Sequence, residues 1–318
     1  MDTIPITGRE VISWQLMSFY KKHFYMKWIK RILVIVLVIF ILMIGGHLSY
    51  VYSMSADEEY PADSFLQTDI PKRALIVTAH DDDAYSLSGT VLQLVRDGWE
   101  VSQVSFKRIN DPENDARFLK IGKAEGLKEV SLLDIVYRKD TSHASYMAFP
   151  YADFPKVFNV DTVYKALALH IERIRPTVIF SLDDVIGGYG HPDHVFMSQQ
   201  VLEYCRRNKD QPGFTVRRVY QAVFPPSMAE AILVKSSWVS ENPYTIGKKN
   251  YNCDGMPLPN VHVNIYDVAQ KKKEYMNSFS AHDRKNIGKA SPYYNWYPYW
   301  IYFRIFDKEY FRVLSFKE

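Results

Sequence analysis

Between residues 72 and 223, short apolar runs alternate with longer segments whose apolar residues recur at helical spacing. Runs at 73–79 (RALIVTA), 101–106, 130–135, 177–181 and 216–223 have the length of strands, and 86–96, 116–125, 160–175 and 192–207 that of helices. Strands joined by helix-length crossovers predict an α/β fold, a mostly parallel sheet with helices on both faces. Beyond 224 the pattern weakens: 225–259 reads as irregular, 261–265 as a strand and 268–280 as a Lys-rich helix. The stretch 293–303 (YYNWYPYWIYF) reads as an aromatic strand packed on the core, with stacking on a sugar or rest at a membrane interface as alternatives. No internal repeat is visible.

A second feature precedes this body. Residues 32–56 contain no Asp, Glu, Lys or Arg, and 32–44 are apolar without interruption. Roughly 20 apolar residues cross a bilayer core, so 32–52 are expected to form one transmembrane helix. Lys27, Lys30 and Arg31 stand before it and Asp57, Glu58 and Glu59 after it, which predicts a cytoplasmic N-terminus and an extracytoplasmic body. A cleaved signal peptide, giving a secreted protein, and a buried core helix are the competing readings. The expected organisation is a basic segment at 1–31, the anchor at 32–52, a tether at 53–71 and one domain at 72–318.

Charge narrows the partners. Residues 1–31 hold six basic and two acidic residues, a surplus of four, whereas the whole chain carries +3. The body is therefore close to neutral and offers no basic face of the kind that binds nucleic acid. The two cysteines, Cys205 and Cys253, lack metal-site spacing; a disulfide and plain buried thiols are both open to them.

Ligands of open α/β sheets bind at the carboxyl ends of parallel strands, so polar clusters just after strands carry the chemistry. Two stand there: His80-Asp81-Asp82-Asp83 after the first strand, and Gly187-Gly188-Tyr189-Gly190-His191-Pro192-Asp193-His194 after 177–181. Imidazole and carboxylate suit a zinc-like divalent ion, and catalytic sites commonly use three protein ligands. His80, Asp83 and one histidine of the second cluster give that number, leaving Asp82 free to act as general base. His191 and His194 lie three apart where Pro192 can start a helix, so both can face one site. Read singly, each cluster is also a solvated turn and helix start.

These residues resemble the PIG-L/LmbE-like N-deacetylases. His80-Asp81-Asp82-Asp83 is similar to that family's H-P-D-D-E signature, and the stretch from Gly188 to His194 is similar to its G-H-P-D-H element. Gly89-Thr90, Arg117, Arg175-Pro176, Lys273 and Glu309-Tyr310-Phe311 extend the likeness over roughly 72–315. The resemblance implies a Rossmann-like, LmbE-like sheet and a zinc or other divalent metal on His80, Asp83 and His194, with Asp82 as base. It further implies that His191 assists the transition state, Asp193 orients His191, Tyr189 donates to the oxyanion, and Arg117 and His282 contact substrate. Asp81 replaces the usual Pro and Ala84 the usual Glu, which bears on loop stiffness and metal affinity. The implied activity is removal of acetyl from an N-acetylated, GlcNAc-type saccharide; another mononuclear metal hydrolase and a glycan-binding member without activity are the alternatives.

Overall fold

The computed structural model describes residues 8–108, 111–141, 147–235 and 242–317, with side chains from Tyr25 onward. The chain divides into two compact units, Met1–Tyr52 and Ser53–Glu318. In the first, a helix runs over Gly8–Tyr52. Its portion Tyr25–Tyr52 is long and apolar enough to cross a membrane, and the side chains from Ile32 to Met43 are exposed. Part of the basic segment expected at 1–31 lies outside the described residues.

The second unit is built on a seven-stranded sheet: β1 (Arg73–Val77), β2 (Glu100–Phe106), β3 (Glu129–Leu133), β4 (Val178–Leu182), β5 (Arg218–Ala222), β6 (Val261–Asn264) and β7 (Lys308–Ser315), ordered β3-β2-β1-β4-β5-β7-β6. The first five in that order are parallel, with Ala74 opposite Val101 on β2 and Leu75 opposite Ile179 on β4. β7 runs antiparallel to β5 and β6. Strand alternation sends Leu75, Val77, Ile179 and Val219 to one face, under the helices Val160–Ile174 and Pro192–Asn208. Ala74, Ile76, Phe180 and Tyr220 go to the other face, with Val91 and Leu94 of the helix Ser88–Arg96. Both faces are thus dry, as the near-continuous apolar runs require. Chain order reverses between β1 and β4, which opens a crevice at their carboxyl ends.

Four segments differ from their sequence reading. Residues 53–71, read as a tether, pack on the domain: Asp63 accepts from Tyr220 Oη at 2.9 Å and Glu58 accepts from the Ser227 amide at 2.9 Å. The aromatic stretch is not a strand. It forms a turn followed by the helix Tyr299–Ile305, because Pro298 caps a segment whose Tyr302, Phe303 and Phe306 fall on one buried face. The helix Ala281–Ala290 and strand β7 were not foreseen; both are rich in charged residues.

Candidate active site

β1 ends at Val77 and the chain turns through His80 into a 3₁₀ segment, Asp83–Leu87, that leads into the helix Ser88–Arg96. That helix is fastened by Glu309 of β7, which accepts from the amides of Gly89 (2.8 Å) and Thr90 (2.7 Å) and from Thr90 Oγ1 (2.6 Å). A side chain at Gly89 would meet Ile265 and Glu309 at 2.8–2.9 Å, so only glycine allows this approach. Lys272 compensates the Glu309 charge. Within the turn, the His80 amide donates to Asp83 Oδ2 at 2.8 Å, locking the two against each other.

The second loop is organised by Asp183, fully buried at the end of β4. Its carboxylate accepts from the amides of Val185 (3.0 Å), Ile186 (2.6 Å) and Gly188 (2.7 Å). Gly187 follows with φ 59°, where a Cβ would come within 2.7 Å of His194 Cβ. This bend aims the Gly187 carbonyl at His194 Nδ1, 3.0 Å away. The helix Pro192–Asn208 then begins with His191 as its N-cap, its Nδ1 accepting from the Asp193 amide at 3.2 Å.

The two loops meet. His80 Nδ1 lies 3.0 Å from His194 Nε2, and Asp83 places one oxygen 3.2 Å from His194 Nε2 and the other 3.6 Å from His80 Nδ1. The protonated edges of both rings are already committed. His194 Nδ1 can only donate to the Gly187 carbonyl, and His80 Nε2 only to Asp193 Oδ2, 3.4 Å away. With neither ring carrying a second proton, two lone pairs and a carboxylate converge on one point, which takes a cation: a metal ion, or the proton that Asp83 and Asp193 favour on His80. Ligands about 2.0–2.1 Å from a tetrahedral ion lie about 3.3 Å apart, so the donor set fits such a metal. His191 also belongs to this cluster: one ring nitrogen from each of His80, His191 and His194 lies within 4.8 Å of the other two. Because its Nδ1 is an acceptor, a neutral His191 presents Nε2–H, a donor rather than a ligand.

Electrostatics follow from the pairing. Arg108 holds Asp81 at 2.6 Å, Asp283 at 3.3 Å and Asp82 at 3.5 Å, while Asp81 also accepts from Asn114 Nδ2 at 2.8 Å. Arg138 Nε donates to Asp193 at 3.0 Å, and Tyr137 Oη to the same carboxylate at 3.2 Å. Burial and the neighbouring Asp83 and Asp81 push Asp82 up to about 7. Burial raises Asp83 too, but His194 and His80, when protonated, outweigh it and hold the carboxyl well below its ordinary range. Burial, then the His194 and His80 charges, keep His191 neutral, and burial with Asp83 and Asp82 keeps the Tyr189 hydroxyl protonated.

His80, Asp82, Asp83, Asp193, His194 and His191 are thus brought together, with the Tyr189 ring 5.3 Å from His194 and 6.1 Å from His191. Asp193 meets His191 through its main-chain amide, its carboxylate being taken by Arg138, Tyr137 and His80. Arg117 is half-buried and donates to Asn114 Oδ1 at 3.0 Å, one residue removed from Asp81. His282, expected near the substrate, is instead exposed on its helix beside Asn286; its neighbour Asp283 is the residue turned inward. Cys205 and Cys253 are unpaired thiols. Arg108, Arg138, Tyr137 and Asp183 were not foreseen. The rule that polar residues after strands matter, applied also to β2 and β3, points to Arg108 and Arg138.

A cavity of about 100 Å³ opens beside Asp83, Tyr189 and His194, with largely apolar walls that include Met228, Ile232, Leu233 and Phe306.

Residues 75–205 match the family described as PIG-L, GlcNAc-PI de-N-acetylase. The 1D-myo-inositol 2-acetamido-2-deoxy-alpha-D-glucopyranoside deacetylase of Nakamurella multipartita is 30% identical over 190 residues, 51% of this chain and 63% of that protein. The protein of the same description from Thermobifida fusca is 34% identical over 91 residues, 26% of this chain and 32% of its own length. Among solved structures, N,N'-diacetylchitobiose deacetylase from Pyrococcus horikoshii has a TM-score of 0.44 and 17% identity, covering 80% of this chain and 90% of that one. The chain thus spans less than two thirds of the length of these curated relatives. The family match, residues 75–205, spans the segment that builds both loops of the site.

Proposed function

We propose that this chain is a metal-dependent hydrolase that removes the acetyl group from an N-acetylated sugar of the GlcNAc type. The observation that carries the reading is the convergence of His80 Nδ1, His194 Nε2 and the Asp83 carboxylate, each imidazole pinned by an oxygen at its other nitrogen. The relatives named above act on a 2-acetamido-2-deoxy sugar, which supports the substrate class.

His80, Asp83 and His194 would hold the metal, zinc or another divalent ion. When bound, it supplies a Lewis acid that polarises the amide carbonyl and makes water in the site more acidic. Asp82 shares the turn with Asp83 without being turned into the donor set, and takes the proton from the attacking water. Tyr189 Oη and His191 Nε2 are the donors suited to the developing oxyanion, since both stay protonated and neutral at neutral pH. The proton held by Asp82 then passes to the departing amine, and acetate leaves. The apolar cavity receives the acyl methyl.

We also propose that the helix containing Tyr25–Tyr52 anchors the chain with its N-terminus cytoplasmic, supported by Lys27, Lys30 and Arg31 on one flank and Asp57, Glu58 and Glu59 on the other.

The test is acetate release from a panel of N-acetylated saccharides, with and without chelator, by wild type and Asp82→Asn. Turnover should depend on metal and fall by about 10²–10⁴-fold in the variant while the metal is retained. Undiminished turnover in Asp82→Asn would remove the base from the mechanism, and phosphate release from phosphoesters without acetate release would replace the reaction.

A further inference from the structure

The aromatic turn at 291–297 and the helix Ala281–Ala290 border a second cavity of about 400 Å³, open to solvent, separate from the first and outside the family-matched segment. Its volume falls in the range of small-ligand sites, about 300–1,000 Å³. One wall carries Arg284, Lys285 and Lys289; the other carries Tyr293 and Trp296. The cations come from one helix, and Lys285 and Lys289 stand four residues apart, where like charges repel. Asp283, the acidic residue of that helix, is buried and turned to Arg108, so it does not neutralise this wall. Among the described residues, neither Arg284 nor Lys285 makes an ion pair with a carboxylate.

The aromatic wall is held in place rather than loose. Tyr293 adopts φ 64°, a left-handed conformation that costs a non-glycine residue energy and persists only where surroundings impose it. The Trp296 amide donates to the Tyr293 carbonyl at 2.9 Å, and Lys273 Nζ donates to the Tyr297 carbonyl. The result is an aromatic corner, with ring centroids 5.0 Å apart and planes at 78°, that leaves Trp296 70% exposed. Successive residues of one segment line the two: Ala290 and Ser291 the first, Lys289 and Pro292 the second.

We propose that this second cavity is a saccharide subsite for an anionic sugar unit, and that the substrate is an oligosaccharide or polysaccharide bearing acidic groups. The proposal rests on the deacetylase reading in that the neighbouring cavity takes the N-acetylated unit. Indole and phenol faces stack on the apolar C–H face of a sugar ring, while guanidinium and ammonium groups bind a carboxylate or phosphate through charge-assisted hydrogen bonds. A concave wall with both features suits a sugar unit better than it suits a lipid surface, which meets convex, apolar-tipped patches.

The experiment uses the full chain in phosphatidylcholine nanodiscs, carrying Asp82→Asn so that turnover is slow during the titration. Calorimetry compares a tetrasaccharide of alternating N-acetylglucosamine and glucuronate with neutral chitotetraose. The acidic probe should bind about tenfold more tightly, and added salt should erode that advantage. Lys285→Ala and Trp296→Ala, each made in that background, should weaken it about tenfold. In the otherwise wild-type chain, both should leave acetate release from monomeric N-acetylglucosamine unchanged. Equal affinity for the two probes, or affinity unaffected by both substitutions, would overturn the subsite. So would acetate release that depends on Lys285 and Trp296 only in phosphatidylserine nanodiscs with saccharide affinity unaltered, which would assign the patch to lipid. A wild-type chain that releases no acetate but still binds the acidic probe would sink the deacetylase reading and leave this one standing.

Discussion

The two ends of the parallel sheet use the same residue types to opposite purpose. At the carboxyl ends of β1 and β4, Asp81, Asp83, Asp183 and Asp193 are buried, and each is held by named donors. At the amino ends of β2 and β3, Glu100 and Glu129 sit at the surface, paired with Lys128 at 2.7 Å and with Arg173 at 2.5 Å. The side chains of Lys128 and Glu100 are 58% and 54% exposed, whereas that of Asp193 is wholly buried. Water shares the work at one end, so those pairs add little; at the other end a carboxylate without its partner would carry the full cost of desolvation.

That contrast can be broken in three places. Arg138→Met removes the guanidinium from a buried carboxylate and should cost about 3–5 kcal/mol of unfolding free energy. It should also loosen His80, which Asp193 holds. Urea denaturation of the variant reads the first effect, and a cost below about 1 kcal/mol would mean that burial does not set the value of these pairs. Gly187→Ala comes next, because it strains a φ of 59° and presses on His194 Cβ; about 1–3 kcal/mol is expected, with weaker metal affinity. A stable variant with wild-type metal affinity would show that the bend does not aim His194.

Glu129→Gln, at the exposed end, should cost less than about 1 kcal/mol. Its sign with pH is fixed. The hydrogen bond from Arg173 lowers the Glu129 carboxyl to about 2, so its contribution is present above the ordinary value of 4.5 and fades as pH falls toward about 2. Wild type and variant should therefore converge in stability in acid, and a gap that widens there would contradict the pairing.

Much of this contrast was legible from residue order. Apolar runs such as 73–79 and 177–181 identify β1 and β4 because strands buried on both faces admit little else. The clusters after them identify the site because a parallel sheet gathers ligands there. The remaining partners were hidden for a physical reason: Arg108 and Arg138 act across tens of residues of sequence, and their roles depend on which loops become neighbours at the crevice. His282 and Asp283 show the limit most clearly. Adjacent positions on a helix point about 100° apart, so local sequence alone does not say which one is turned inward. The stretch 293–303 was misread because its aromatic content suggests a strand, while the spacing of Tyr302, Phe303 and Phe306 behind Pro298 is helical.

The central claim is that His80, Asp83 and His194 share one divalent cation while His191 stands by as a donor. Calorimetric titration of Zn²⁺ into the chelator-stripped chain tests it directly, comparing wild type with Asp83→Ala, His194→Ala and His191→Ala. The account predicts one ion per chain in wild type and in His191→Ala, and loss of that ion in the other two. Retention of the ion by Asp83→Ala together with its loss from His191→Ala would contradict it, and would give the third ligand position to the imidazole instead.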